Sequence, residues 1–327
     1  MRIPRSTHVL RLLSALAVVA MLAGACGGAS QEAAPTTTST SEKPSSTTTT
    51  RASTTTSTAL PALPVDPGII VHATPDIADA DIAIVLEGVT AARAAMGETA
   101  PLDVFIYVDP AAYAQEFLDR FGPPAGGRNQ VLEWLANNSM AGYPRQQAVL
   151  FLNGATIFRS YGSGKNAFVT SAHESIHTTQ HIQMGRQVNT PDTEVPAGGP
   201  MWLIEGQADY TAFKVAIERG QLDHWDTWDE LRAGALVRNA KALPDPLSAL
   251  TTYSAQQGRE VDALYAKATM AAEWLAHRAG DEAVNRTYWL SALRDGWHDA
   301  FTATFGLDVD SFYAEFEAWA AAGYPQL

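Results

Sequence analysis

Cysteine is almost absent from this sequence, since its 327 residues include only Cys26. A single cysteine cannot form a disulfide within the chain, so the fold must rely on burial and hydrogen bonding alone. Cys26 directly follows an apolar run near the N-terminus. The position of Cys26 therefore indicates a role other than a structural cross-link.

The same apolar run, residues 12–23, is too short to cross a bilayer as a helix. Arg2, Arg5 and Arg11 lie ahead of it, an order typical of a secretory signal peptide. We therefore expect residues 1–25 to be a signal peptide.

The stretch "LAGAC" ending at Cys26 resembles the lipobox of bacterial lipoproteins, which are cleaved before a cysteine that then carries the lipid. Ala23 and Ala25 also form a small-x-small site for ordinary signal cleavage. We expect lipidation of Cys26 and anchoring on the outer side of the bacterial cytoplasmic membrane. Secretion as a soluble protein is the alternative.

Residues 26–63 are nearly all serine, threonine, alanine, glycine and proline after the cysteine. Such a segment is too poor in large apolar groups to bury a core. It is expected to be a flexible tether that holds a folded domain, residues 64–327, away from a membrane or through a wall layer.

Basic residues are also few. Lysine and arginine number 22 against 35 aspartates and glutamates, which gives a formal net charge of −13. No basic stripe is visible in the sequence that could overcome the repulsion of phosphates, so we expect no nucleic-acid partner.

The sequence from 64 to 165 predicts mixed helix and strand. Strands are predicted at 68–73, 101–108 and 147–153, and helices at 79–97 and 109–122 that each end at a glycine. No internal repeat is present. We expect a sheet-bearing half here, with the strand at 147–153 offering its edge to an extended peptide.

From 166 to 327 the pattern is mainly helical, as helical spacing of apolar residues recurs in four long segments. These segments are 166–185, 200–220, 259–280 and 308–323. The predicted fold class is therefore α+β, a sheet-bearing half followed by a mainly helical half.

The segment "HESIH" places two histidines one turn apart on a predicted helix, His173 and His177. At that spacing both imidazoles can reach one metal ion. Glu174 lies about 100° around the helix axis, where it can contact a water near the ion without ligating it. Chance alone gives such a motif in about one sequence in a hundred, so a third ligand is needed to support the assignment.

Glu205 in "WLIEGQADY" supplies a candidate third ligand, on a second predicted helix. Asp209 lies one turn further along the same face and can accept a hydrogen bond from a ligand histidine. Apolar residues surround both acids in the sequence, and acids in an apolar setting need partners.

Together, HExxH followed by ExxxD resembles the gluzincin metallopeptidases, the superfamily of thermolysin and aminopeptidase N. The resemblance implies a gluzincin-type catalytic domain, with one zinc ion per chain bound by His173, His177 and Glu205. It also implies that Glu174 is the general base and that Asp209 orients a histidine, His173.

The aminopeptidase branch has a tyrosine in a Y-x-K-G segment that stabilises the tetrahedral intermediate. Tyr265 in "YAKA" corresponds to it, with alanine in place of glycine, and a core aromatic is the alternative role. The G-x-M-E-N motif that binds a substrate amino terminus in that branch is missing, which favours an endopeptidase.

These observations predict a zinc-dependent hydrolase that cleaves peptide bonds in a peptide or protein substrate, using zinc-activated water with Glu174 as base. Two alternatives stay open: a noncatalytic zinc lipoprotein that binds a wall component or a protein, and a zinc amidase acting on peptidoglycan. The sequence leaves the oligomeric state unknown.

Overall fold

The computed structural model describes residues 66–158, 167–185, 194–222, 228, 245–256 and 261–327. The predicted signal peptide, Cys26 and the predicted tether lie outside these residues. The strands are β1 (Ile69–Ala73), β2 (Leu102–Tyr107), β3 (Met140–Gly142) and β4 (Ala148–Asn153). The helices are α1 (Asp79–Ala95), α2 (Ala114–Phe121), α3 (Gly127–Asn137), α4 (Gly154–Ile157), α5 (Ala167–Gln183), α6 (Met201–Glu218), α7 (Tyr253–Gln256), α8 (Val261–Ala279), α9 (Tyr288–Asp295), α10 (Trp297–Phe305) and α11 (Val309–Ala321), with a π-helix at Ala283–Thr287.

The four described strands form one sheet in the order β1-β2-β4-β3. β1 pairs in parallel with β2, and β2 in parallel with β4. β3 pairs antiparallel with β4, with Ala141 opposite Leu150. The expectation that the strand at 147–153 offers a free edge is therefore wrong, because β4 is paired on both sides. That edge of the sheet belongs to β3.

The sheet lies between two layers of helices. Every residue of β4 is buried, as expected for a strand covered on both faces. Val104 of β2 packs in a cluster with Val89 of α1, whereas Phe105 packs in another cluster with Phe117 of α2. Successive side chains of β2 thus pack against opposite layers of helices.

Two glycines allow the helices around the site to approach closely. A Cβ added at Gly88 of α1 would lie 2.5 Å from the carbonyl oxygen of Phe168 on α5. A Cβ at Gly206 of α6 would lie 2.2 Å from the carbonyl oxygen of Ala268 on α8. The backbones of α1 and α5, and of α6 and α8, are therefore in contact at these points.

The mixed class predicted from the sequence is confirmed: a small sheet lies before residue 154 and the chain beyond it is mainly helical where described. The predicted helix at 109–122 is a short 3₁₀ turn, Pro110–Ala112, followed by α2. Among the described helices, none is both long and apolar enough to cross a membrane.

Candidate metal centre

The centre is formed by two buried helices, α5 and α6, which pack against each other. α5 carries His173 and His177 one turn apart, and α6 carries Glu205 and Asp209 one turn apart. All four residues are buried, at most 8% exposed. Nearly every residue of both helices is buried, so the polar residues among them must find partners in the protein interior.

His173, His177 and Glu205 converge on one point and could hold a metal ion. The two Nε2 atoms lie 3.0 Å apart. The Oε2 atom of Glu205 lies 3.5 Å from His173 Nε2 and 3.3 Å from His177 Nε2. Ligand bonds of about 2.0–2.1 Å at tetrahedral angles require ligand atoms about 3.3 Å apart. The three distances fit tetrahedral coordination of a small cation.

Asp209 lies on the far side of His173 from this point. Its Oδ1 atom is 2.7 Å from His173 Nδ1. The Nδ1 atom therefore faces the carboxylate, and Nε2 is the ring atom directed at Glu205. A carboxylate behind a ligand histidine holds the ring in place and makes it a better donor to a metal.

The electrostatics of the site favour positive charge at its centre. Burial alone would lower the pKa of His173, but the charge of Asp209 and hydrogen bonds to Asp209 and Glu205 raise it to about 10. Burial would raise the pKa of the Glu205 carboxyl, yet His177 and His173 hold it well below its usual range. Protons on the histidines or a bound metal cation can supply the positive charge that the carboxylates favour.

Glu174 lies on α5 beside the two histidines and is only 9% exposed. Burial raises the pKa of Tyr107 far above its ordinary range, and the negative charge of Glu174 raises it further. Glu174 is therefore close enough to Tyr107, the last residue of β2, for its charge to act on that hydroxyl. The charge of Glu174 also raises the pKa values of His173 and His177, so it acts on both sides.

Tyr265 lies on α8, with its ring centroid 6.1 Å from that of His173. The side chain is partly buried and packs against the core of the helical half. Its ring therefore lies beside that of His173, a candidate metal ligand. The neighbouring Lys267 points elsewhere and pairs with Glu317 of α11, at 3.0 Å.

Several polar residues near the centre were not singled out by the sequence reasoning. Gln180 accepts a hydrogen bond from His177 Nδ1, at 2.8 Å, and Gln207 of α6 contacts Gln180 in turn. His181 of α5 is also buried, at 2% exposed. Burial and the nearby His177 lower its pKa to about 3, so it is a neutral interior residue.

Neither models of protein families nor curated protein sequences match this chain.

Proposed function

We propose that this chain is a zinc-dependent hydrolase of peptide bonds, an endopeptidase of gluzincin type. The observation that carries the proposal is the buried carboxylate of Glu174, next in sequence to a ligand histidine and beside a three-ligand cluster. A purely structural metal site has no use for a base beside it, and structural zinc sites are closed by four protein ligands.

The donor set supports zinc among the metals. Two imidazoles and one carboxylate with room for a fourth ligand are a common catalytic zinc shell. A zinc ion held there supplies a Lewis acid for a substrate carbonyl and lowers the pKa of a water.

The protein residues have separate tasks in this proposal. Glu174 accepts a proton from the attacking water and passes it to the leaving nitrogen. Tyr265 donates a hydrogen bond to the oxygen on which negative charge develops. Asp209 holds the ring of His173, with Nε2 directed at the metal.

The edge of the sheet next to the site belongs to β3, which α5 contacts. An extended peptide added along such an edge would pass the helix that bears Glu174. We therefore assign to β3 the peptide-binding role that the sequence suggested for β4. Binding of an extended peptide along this edge suits an endopeptidase.

Glu174→Gln tests the proposal. Glutamine keeps the size and hydrogen bonding of glutamate but cannot accept the proton, so zinc content should stay at about one per chain. Turnover of an unstructured peptide should fall by about a hundred- to ten-thousandfold. Equal turnover at equal zinc content would overturn the mechanism. Cleavage of purified wall but of no peptide would point to an amidase, and cleavage of neither to a binding protein.

The cellular location belongs to the same proposal. Lipid on Cys26 would anchor the domain outside the cytoplasmic membrane through the tether, so Cys26→Ser should release the protein from the membrane fraction. Fractionation of cells that express either form measures this. Wild-type protein found in the medium with Cys26 at its N-terminus and no lipid would favour ordinary secretion.

A further inference from the structure

The side chain of Gln180 joins a candidate metal ligand to the backbone of the opposite helix. Its Oε1 atom lies 2.8 Å from His177 Nδ1. Its Nε2 atom donates to the carbonyl oxygen of Ile204, at 3.0 Å, and to Oε1 of Gln207. Gln180 is fully buried, so each of these groups depends on its protein partner.

The backbone carbonyl decides which way round the amide of Gln180 lies. The oxygen of Ile204 can only accept a hydrogen bond, so the nitrogen of Gln180 must face it. The oxygen of Gln180 must then face His177. Because that oxygen can only accept, His177 must carry its proton on Nδ1. Its Nε2 lone pair is thereby directed at Glu205 and His173.

Gln207 holds the amide of Gln180 from the other side. Its own nitrogen donates to Oδ1 of Asn285, at 3.2 Å. The same oxygen of Asn285 accepts from the hydroxyl of Thr211, at 2.7 Å. Both Gln207 and Asn285 are at most 4% exposed, so the chain of amides runs through the interior from α5 to α6 and on to the π-helix.

Asn285 lies in the π-helix Ala283–Thr287, and this placement also supports a functional role for the hydrogen-bonded amides. A π-turn inside helical structure is rare and is frequently found at functional sites. Here Asn285 meets Gln207 and Thr211 on the same side of α6. Three polar residues from two segments thus support one amide that contacts a candidate ligand.

We propose that Gln180, held by Gln207 and Asn285, is the positioning residue of His177. It is the neutral counterpart of Asp209, which faces His173, and it fixes the tautomer with which His177 meets the metal. This inference rests on the proposed function, because it assumes that the cluster binds zinc.

Gln180→Met tests the inference, with Gln183→Met as the matched control. Both glutamines are buried on α5, but Gln183 donates to the carbonyl oxygen of Met96, at 3.2 Å. Zinc affinity, measured by competition with a chelator, should fall about ten- to a hundredfold in Gln180→Met. In Gln183→Met it should stay at the wild-type value, although both variants lose a buried hydrogen bond.

Gln180→Glu separates the contact with His177 from the support behind it. A carboxylate still accepts from Nδ1–H but cannot donate to Ile204, so zinc affinity should be retained while the zinc-free protein unfolds more easily. Nitrogen NMR of the zinc-loaded wild type should show His177 protonated on Nδ1. Gln207→Met, which leaves Gln180 in place, should lower zinc affinity less than Gln180→Met does.

The outcomes distinguish the inference from the function on which it rests. A wild-type protein that binds no zinc overturns both. If the wild type binds zinc but Gln180→Met and Gln183→Met bind it equally well, the inference alone is wrong. A proton on Nε2 of His177 in the zinc-loaded protein would also overturn it.

Discussion

The two halves of the molecule differ in where they bury polar side chains. In residues 66–158 four polar side chains are buried, those of Thr90, Arg93, Ser139 and Asn153. On α5 and α6 alone there are 14: Ser171, His173, Glu174, Ser175, His177, Thr178, Thr179, Gln180, His181, Gln183, Glu205, Gln207, Asp209 and Thr211.

Burying a polar group costs free energy unless it is hydrogen-bonded, so such groups are not gathered by chance. In the sheet half Asn153 donates to two carbonyl oxygens of α3 and caps α4. Its role is structural. On α5 and α6 a subset of the buried polar residues forms the candidate metal centre and its supports: His173, His177, Glu205, Asp209, Gln180 and Gln207. Others, such as Thr178 and Thr179, donate hydrogen bonds to the backbone of their own helix. The helical half thus brings together the groups that could hold a metal ion, whereas the buried side chain of Asn153 in the sheet half supports secondary structure.

Removing a candidate metal ligand from the helical half should have the largest effect on zinc affinity. Glu205→Ala deletes one of three ligands, so zinc affinity should fall by more than the about hundredfold that outer residues cause. Equilibrium dialysis against zinc measures it. An affinity equal to that of the wild type would place the metal, if any, elsewhere.

Removing the support of His173 should have the next largest effect. Asp209→Asn keeps the shape but loses the charge that favours the ligand histidine, so zinc affinity should fall about ten- to a hundredfold. Zinc titration against a colorimetric chelator gives the value. A loss larger than that of Glu205→Ala would mean that Asp209 itself ligates.

The close helix contacts allow a direct comparison of the two halves. Gly206→Ala and Gly88→Ala each force a methyl group against a backbone carbonyl, which should lower the free energy of unfolding by about 1–3 kcal/mol. Alanine in an ordinary helix interior would instead stabilise by about 1 kcal/mol. Denaturant unfolding of the zinc-free variants decides between these signs.

Zinc affinity separates the two glycines further. Gly206 adjoins Glu205 in sequence, whereas Gly88 contacts α5 at Phe168 and Ser171, ahead of His173, so Gly206→Ala should weaken zinc binding more than Gly88→Ala does. Equal loss of affinity in both variants would show that the sheet half controls the centre as well.

The smallest effect is expected on the sheet surface. His72 pairs with Asp103 at 2.9 Å and stacks on Phe105 with centroids 4.4 Å apart. His72→Phe keeps the stacking and removes a partly exposed hydrogen bond to Asp103, so stability should change by about 1 kcal/mol or less. Thermal unfolding and zinc titration should both stay near the wild type. A clear loss of zinc would contradict the division of roles.

The sequence predicts the parts of this molecule that depend on local spacing. His173 with His177, and Glu205 with Asp209, lie one turn apart on single helices, so their common faces follow from helix geometry. The paired central strands also follow, because runs of large apolar residues such as β4 are strong signals.

Other features depend on contacts between distant segments, which spacing does not encode. β3 has three residues, Met140–Gly142, and no pattern that marks a strand. The contact of Gln180 with Gln207 needs the relative position of α5 and α6, and Asn285 needs the π-helix as well. A glutamine on a helix is usually a solvent-exposed residue, so its sequence position alone gave no signal.

The shortness of β3 sets a limit on how tightly an extended peptide can bind to the proposed endopeptidase. Alternate residues of an edge strand direct their N–H and C=O groups outward, so three residues offer a peptide at most about four backbone hydrogen bonds. At a net of about 1 kcal/mol each, these bonds fall well short of the roughly 8 kcal/mol that micromolar affinity requires. Cleaved products should therefore leave quickly, and KM should lie in the upper part of the usual range for enzymes.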